Sequence, residues 1–526
     1  MNMRKPTTFT PLILITLFFV GSVNAQITSQ SVDKLVEEAI KRFDVAGASV
    51  GIVKDGKVIH AKGYGVKSVE TGEKVDEHTP FAIGSNTKAF TTAALAILVD
   101  DGKLSWHDKV IDHLPEFKMY NAYVTENFNI EDLLTHRSGL GLGVGDLMFF
   151  PDGSNFTIKD VVSSFQYFEP QSAFRTKFDY DNLLYLVAGE VIARSSGETW
   201  EEFVQTRIIE PLEMKNSYSS LAQIEDREIA ATPHSSETGP LKAISHFEQN
   251  CDNINGAAGA IYSSASDICR WMLVHLNHGK YGDGLDKQLF SKTRQGEMWT
   301  IHTSLPLIPI PRYRNHFSGY GLGWRLADMN GNLVVSHTGG VPGMLSKTIM
   351  VPDLDLGIVV LTNTSLGGGA VFETVSRTIQ DSYMGLEDFG WMEKIATIQS
   401  RQQTKGDQVT EDVWKTVEAA NDDHLDPNDY IGIYQDRWFG KVEVYPKADQ
   451  LWFKSLRSPK LVGQMHFYKA NSFAIKWDYR DMNADAFAIF SLDEEGKAQS
   501  IKMKGISPNI DFSFDFQDLD LKRLPN

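Results

Sequence analysis

Hydrophobic positions first recur at helical spacing near the start of the chain. Val32, Leu35, Val36, Ala39, Ile40 and Phe43 fall on one face of SVDKLVEEAIKRF and predict an amphipathic helix. ASVGIVKDGKVIHAKGYG then sets Asp55-Gly56 between two β-rich runs, which signals a hairpin. Residues 81–104, FAIGSNTKAFTTAALAILVDDGKL, pass from a loop with a glycine into a long apolar run. Residues 182–197, NLLYLVAGEVIARSSG, predict another helix, closed by a glycine stop. From Asn332 the texture changes to short apolar runs, NLVVSHTGG, MLSKTIMVP and LGIVVLTNT, read as strands of a meander sharing one sheet with the early hairpin. A sheet drawn from both ends of a segment, with helices between, is an α+β arrangement: an antiparallel sheet flanked by helices.

Between about Met392 and Asp426 the chain turns polar and helical, and QSRQQTKGDQ reads as a solvated connector. Beyond it lie short alternating runs: KVEVYP, QLWFKSL, SFAIKWDY, DAFAIFSL, QSIKMKGI and DFSFDFQD. In the last, Phe512, Phe514 and Phe516 alternate with polar residues, the period of a half-buried strand. About seven such strands predict a small antiparallel barrel. The expected division is therefore residues 1–25 as a leader, 26–391 as an α+β unit, 392–425 as a polar linker and 426–526 as an all-β barrel. Trp438, Trp452 and Trp477 read as barrel core sooner than as ligand-stacking aromatics.

The leader reads MNMRKPTTFTPLILITLFFVGSVNAQ. Arg4 and Lys5 precede an apolar stretch, and Ala25 is the small residue at a cleavage site, which is the pattern of a secretory signal peptide. The run from Pro11 to Val23 is shorter than the roughly 20 residues of a membrane span. A secreted or periplasmic protein, cut after Ala25 and without a remaining span, is expected. The net charge of -17 becomes more negative once Arg4 and Lys5 are removed, which argues against nucleic acid and anionic lipid as partners. Export would permit a Cys251–Cys269 bridge, although Cys269, in the helical pattern SASDICRWMLVHL, reads more simply as a small buried residue.

Within residues 81–104, Ser85 stands three residues before Lys88 at the start of the apolar helix, so the two side chains share a face. Free backbone N–H groups at a helix start favour negative charge developing on a serine oxygen or a bound carbonyl oxygen. A lysine serves as the base if burial lowers its pKa. The spacing alone says little: Ser31-Val-Asp-Lys34 shows it too, on a surface helix without partners. Two further elements give Ser85 a context. FDYDNLLYLVAGEV sets Tyr180-Asp181-Asn182 before a helix, and VVSHTGGVPG sets His337-Thr338-Gly339 on a strand edge.

Serine, then tyrosine, then a cationic residue with Thr-Gly, in that order, resembles the serine β-lactamase and penicillin-binding-protein superfamily. The Tyr-x-Asn element points to its class C β-lactamase and D-peptidase branch. LLTHRSGL (133–140), GAAGAIYSSASDICRWM (256–272) and YGLGW (320–324) are similar to segments of the same family, and the likeness covers roughly residues 30 to 385.

That resemblance implies roles. Ser85 would form an acyl-enzyme, with Lys88 and Tyr180 sharing the proton transfers. Asn182 would orient Lys88 and hydrogen-bond the substrate amide, and the backbone N–H groups of Ser85 and Gly340, after Thr338-Gly339, would hold the oxyanion. No metal or cofactor is implied. Where the best-known members carry lysine, this chain has His337, as esterase and peptidase relatives do, which puts penicillin hydrolysis in doubt. His337 is expected to polarise Tyr180 and to make activity fall at acidic pH.

Tyr313-Arg314-Asn315 also fits Tyr-x-Asn but sits in a proline-rich loop, and His136 lies in a motif that is structural in these relatives. The glycines of GLGLGVGD, 139–146, read as a flexible loop near the cleft. Tyr430-Ile-Gly-Ile-Tyr434 resembles the start of a lipocalin-like barrel appended to secreted relatives, which would cap the cleft or mediate assembly into a homo-oligomer. The combined expectation is an exported serine hydrolase of amides or esters, a peptidase acting on D-residue-containing peptides. The alternatives are a carboxylesterase or weak β-lactamase and, in another class, a non-catalytic sensor or binding protein.

Overall fold

The computed structural model describes residues 26–237, 239–248, 254–420 and 426–525. The leader and Cys251 lie outside the described residues. The first amphipathic pattern forms α1 (Ser29–Arg42), with Val32, Val36 and Ala39 buried. The hairpin follows: β1 (Gly47–Lys54) and β2 (Lys57–Gly65) pair antiparallel around Asp55 and Gly56, both at positive φ, the twist a two-residue turn needs.

The sheet is completed by β3 (Thr303–Ser304), β4 (Ser318–Tyr320), β5 (Arg325–Met329), β6 (Asn332–Val341), β7 (Met344–Val351) and β8 (Leu356–Thr362). Its order is β2-β1-β8-β7-β6-β5-β4-β3, antiparallel throughout, so the late meander and early hairpin share one sheet. One face is covered by α1 and a late helix, whose Val371, Val375 and Ile379 pack against Val50, Ile52 and Val360. The other face carries the helical layer. There α2 (Thr87–Asp100) is buried almost all round, as its uniformly apolar sequence requires, and α3 (Leu183–Ser196) ends at Gly197 in the left-handed conformation. In the same layer α4 (Ala265–Leu276) buries Cys269, whose thiol is pushed up to about 12 by burial. After α5 (Gly367–Tyr383), the polar stretch expected as a solvated connector is a 28-residue helix, α6 (Trp391–Glu418). It is not free of the barrel: Val413 packs with Ala474 and Ile506. No helix among the described residues is long and apolar enough to cross a membrane.

Eight antiparallel strands, from Gly432–Asp436 to Leu521–Arg523, close into a barrel through Tyr434↔Arg523 and Gln435↔Lys522. Trp477, Tyr434, Phe453 and Phe490 are buried in its core, and Trp438 is buried against Phe168 of the α+β unit, while Trp452 sits half-buried beneath Lys447. One strand was misplaced by the sequence pattern. DFSFDFQD is a loop that ends in a short 3-10 turn, Phe516–Asp518. Asp511 Oδ1 accepts the N–H of Ser513 at 2.9 Å, a local turn that competes with strand pairing. The alternating phenylalanines serve different surfaces: Phe514 meets Phe150 of the α+β unit, Phe516 stacks on Trp477, and Phe512 turns toward Tyr180.

The barrel is docked firmly. Arg457 reaches Asp160 at 2.9 Å and lies over the Phe156 ring, and Lys460 pairs with Asp152 at 2.7 Å. One hydrophobic core runs continuously from α2 and α3 through Phe149 and Phe150 into Phe514 and the barrel interior.

Candidate active site

A cleft of about 480 Å³ opens where the α2 turn, the edge of β6 and the barrel loop meet, lined among others by Ser85, Tyr180, Asn182, His337, Arg325 and Phe512. Ser85 sits in a 3-10 turn, Gly84–Asn86, immediately before α2. The turn is tied to the sheet by Asn86 Nδ2, which donates to Ser346 Oγ at 2.8 Å, and by Ser346 Oγ, which donates to the carbonyl of Ile83 at 2.6 Å. Two glycines allow this closeness. Gly84 has φ +51, and a Cβ there would stand 2.4 Å from the Gly340 nitrogen; a Cβ on Gly339 would stand 1.8 Å from the Ile83 carbonyl oxygen. The Gly340 N–H is thereby brought beside the serine turn, as an oxyanion pair requires. Thr338 and Gly340 are the exposed members of this strand edge.

Lys88, the second residue of α2, is completely buried. Its ammonium donates to Ser85 Oγ at 3.1 Å, to Asn182 Oδ1 at 2.7 Å and to the Ala258 carbonyl at 2.9 Å. Burial lowers its pKa to about 7, only partly opposed by the Asp146 and Asp181 carboxyls. Burial thus makes the neutral amine accessible near neutral pH beside the serine hydroxyl. Tyr180 is buried over the same group, its ring centroid 4.9 Å from Lys88 Nζ. Burial holds its phenol well above the ordinary pKa. His136, fully buried, packs against Tyr180 with ring centroids 4.2 Å apart and accepts the N–H of Asp181 at 3.0 Å, which fixes the Tyr180-Asp181-Asn182 turn.

His337 lies where the third motif placed it, but its partner differs from expectation. Its Nε2 meets the Tyr320 hydroxyl at 2.8 Å, and Nδ1 meets the Thr338 carbonyl at 2.6 Å; no hydrogen bond joins it to Tyr180. Burial pushes its pKa down to about 3, reinforced by the nearby Lys88 and Arg325 charges. His337 is therefore neutral throughout the pH range in which it was expected to titrate. Tyr313 is buried against Trp391, away from the cleft lining. The 139–146 glycine loop borders the cleft, as read, but is pinned: Gly143 N–H donates to the Tyr180 carbonyl at 2.8 Å.

With that geometry in place, comparison with known proteins adds the ancestry. The Beta-lactamase family profile matches residues 32–376, well over half of the chain. The chain belongs to the beta-lactamase family. A second profile, a domain of unknown function (DUF3471), matches residues 417–523. Among curated relatives, the unguisins hydrolase ungD' of Aspergillus campestris is 28% identical over 354 residues, 64% of this chain and 62% of that protein. Protein flp of Staphylococcus aureus is 27% identical over 337 residues, 64% of this chain and 63% of that one. The chain thus spans less than two thirds of the length of these relatives. Its fold matches the octameric penicillin-binding protein homologue from Pyrococcus abyssi, with a TM-score of 0.60 and 21% identity over 94% of this chain and 100% of that one. It also matches the D-amino acid amidase of Ochrobactrum anthropi, TM-score 0.56 and 19% identity over 67% and 97%. The chain thus has the beta-lactamase fold with a barrel behind it.

The sequence motifs passed over three residues in and behind the cleft of this family member. Tyr320 lay inside a quoted motif but was given no role. Arg325 lines the cleft on β5, directly across from Ser336, and forms no ion pair among the described residues; Phe178 lies beneath it, 5.5 Å from guanidinium to ring centroid. Asp146, buried beneath Asn182, accepts its Nδ2 at 2.7 Å. Arg325 left a sequence signal, a lone cation immediately after the YGLGW segment.

Proposed function

We propose that the protein is an exported hydrolase that cleaves amide bonds through an acyl-Ser85 intermediate, with peptides or amides bearing a D-residue as its substrate class. The observation that carries this reading is the buried amine of Lys88, near neutrality, 3.1 Å from the hydroxyl of Ser85 at the floor of an open cleft.

Lys88, as the free amine, takes the proton of Ser85 while Oγ bonds to the substrate carbonyl carbon. The resulting oxyanion sits against the Ser85 and Gly340 N–H groups. The Tyr180 phenol passes its proton to the departing amine nitrogen and is reprotonated by Lys88, so the C–N bond breaks without net proton loss. Water then attacks the ester carbonyl, its proton following the same path back, and the acid product leaves Ser85 regenerated.

Two observations favour an amide substrate with an acidic group. Arg325 offers an unneutralised fork at the cleft wall, suited to a carboxylate. The relatives, by their names, act on unguisins and D-amino acid amides. The leader ending at Ala25 supports export.

Intact-mass spectrometry after exposure to a fluorophosphonate, run beside Ser85→Ala, tests the nucleophile. One adduct on the wild type and none on the variant is expected. No adduct on a folded wild type would overturn the reading in favour of a binding protein. Paired D- and L-peptide amides, and the corresponding esters, then test the substrate class: preference for the L-peptide, or turnover of esters alone, would refute it.

A further inference from the structure

The barrel touches the catalytic set at a point that the hydrolase unit alone does not explain. The loop carrying Asp515 enters the α+β unit beside the glycine-rich turn of residues 143–147. Asp515 is fully buried there, and its two oxygens accept the backbone N–H groups of Gly145, at 2.7 Å, and Leu147, at 2.9 Å. The residue between those two donors is Asp146. Its carboxyl accepts Asn182 Nδ2 at 2.7 Å. Asn182 Oδ1 in turn accepts the Lys88 ammonium.

We infer that Asp515 is a positioning residue which the barrel contributes to the active site: by clamping the Gly145–Leu147 backbone it fixes Asp146, and through Asp146 it fixes Asn182 and the amine of Lys88. The kinetic part of this inference rests on the acyl-Ser85 reading above.

Three features make the clamp more than incidental packing. Gly145 takes the left-handed conformation, φ 78, at the bend that aims Asp146, and the two clamped N–H groups lie on either side of that residue. Both clamp acceptors belong to one buried carboxyl, so losing it leaves two buried N–H donors unpaired at once. The flanking contact, Phe150 against Phe514, comes from the same barrel loop and seats it rigidly. An amide that misdirects its oxygen lets the Lys88 amine swing away from Ser85, and proton transfer depends steeply on that distance. The barrel is thus a structural part of the catalytic machinery, whatever further surface it offers to a substrate.

The test uses the full chain. Asp515→Ala should lower kcat for an activated ester about 10- to 100-fold, the range typical of groups that orient catalytic ones, with KM within about threefold. Asp515→Asn, which keeps one acceptor oxygen, should lie between it and the wild type. In an Asp146→Ala background the same Asp515→Ala change should cost no more than about threefold, because the path already runs through Asp146. Arg523→Ala, which removes hydrogen bonds at the barrel seam to the Asp429, Ala498 and Ile431 carbonyls, should lower Tm yet leave kcat unchanged. Full additivity of the Asp146 and Asp515 changes, or equal loss of kcat in Arg523→Ala, would overturn the inference and leave Asp515 a docking residue.

Hydrogen exchange provides a readout that needs no turnover. Asp515→Ala should speed exchange in both the 141–147 and 182–186 segments. Faster exchange in the first segment alone overturns the coupling. A wild type that neither labels nor turns over, yet shows both segments coupled, would sink the acyl-serine proposal and leave the clamp standing.

Discussion

Lys88 Nζ stands 3.1 Å from Ser85 Oγ while completely buried, and its pKa of about 7 puts the acid–base switch of this site on the lysine. Only the neutral amine can take the serine proton. Below about pH 7 its neutral fraction falls tenfold per unit, so kcat/KM should drop about 100-fold between a plateau above pH 8 and pH 5. A profile flat from pH 5 to 8 would refute Lys88 as the base.

His337 should not set that limb. It is held neutral by burial, with a pKa of about 3, and its ring is engaged by Tyr320 and Thr338. His337→Gln, which can still meet the Tyr320 hydroxyl, should leave the acid limb within about half a pH unit of its wild-type position, even where kcat falls. A limb displaced by a full unit would return the titration to the histidine.

Arg325 should separate substrates by charge. Its guanidinium lines the cleft without a carboxylate partner among the described residues, so it is free to meet one on the substrate. Arg325→Gln should raise KM about 10- to 100-fold for a peptide ending in a free carboxylate and by less than about threefold for the same peptide amidated. Equal effects on both would assign Arg325 to packing over Phe178.

The parts of this site carried by short sequence patterns were legible in advance. The Ser85–Lys88 spacing, the helix-start Asn182 and the strand-edge His337-Thr338-Gly339 are local motifs, the hairpin follows from Asp55-Gly56 between β-rich runs, and the meander from short apolar runs. The support beneath them was not. Asp515 lies 370 residues from Gly145 in the chain, and nothing in DFSFDFQD distinguishes a strand of alternating faces from a loop whose phenylalanines serve separate surfaces. The hydrogen bond of His337 to Tyr320 was hidden for a related reason: it crosses between strands that are not adjacent in the sheet, and only the three-dimensional arrangement brings those rings to 5.9 Å.

Gly339 should tolerate no side chain. A Cβ there would meet the Ile83 carbonyl oxygen at 1.8 Å and Ser346 Oγ at 2.7 Å, and the first of these is backbone that cannot turn aside. Gly339→Ala should cost about 1–3 kcal/mol of stability by thermal or denaturant unfolding, and the displaced strand edge should carry Gly340 N–H away from the oxyanion position. A variant with unchanged Tm and kcat would show that the edge of β6 yields more readily than its packing implies.

Phe512 should control the size of what enters. It is 39% exposed at the cleft mouth, with its ring edge-on to Tyr180 at 5.8 Å, and it is carried by the barrel rather than by the catalytic unit. Cutting it back to alanine opens space directly beside the reacting centre without touching Ser85 or Lys88. Phe512→Ala should therefore raise kcat/KM for substrates with a bulky group at that wall by roughly tenfold, on the scale of one relieved steric contact, while a small ester changes by less than about threefold. If both substrates lost activity together, the aromatic edge would be holding Tyr180 in place for proton relay, and the mouth of the cleft would be set by Leu142 and Phe149 from the α+β unit instead.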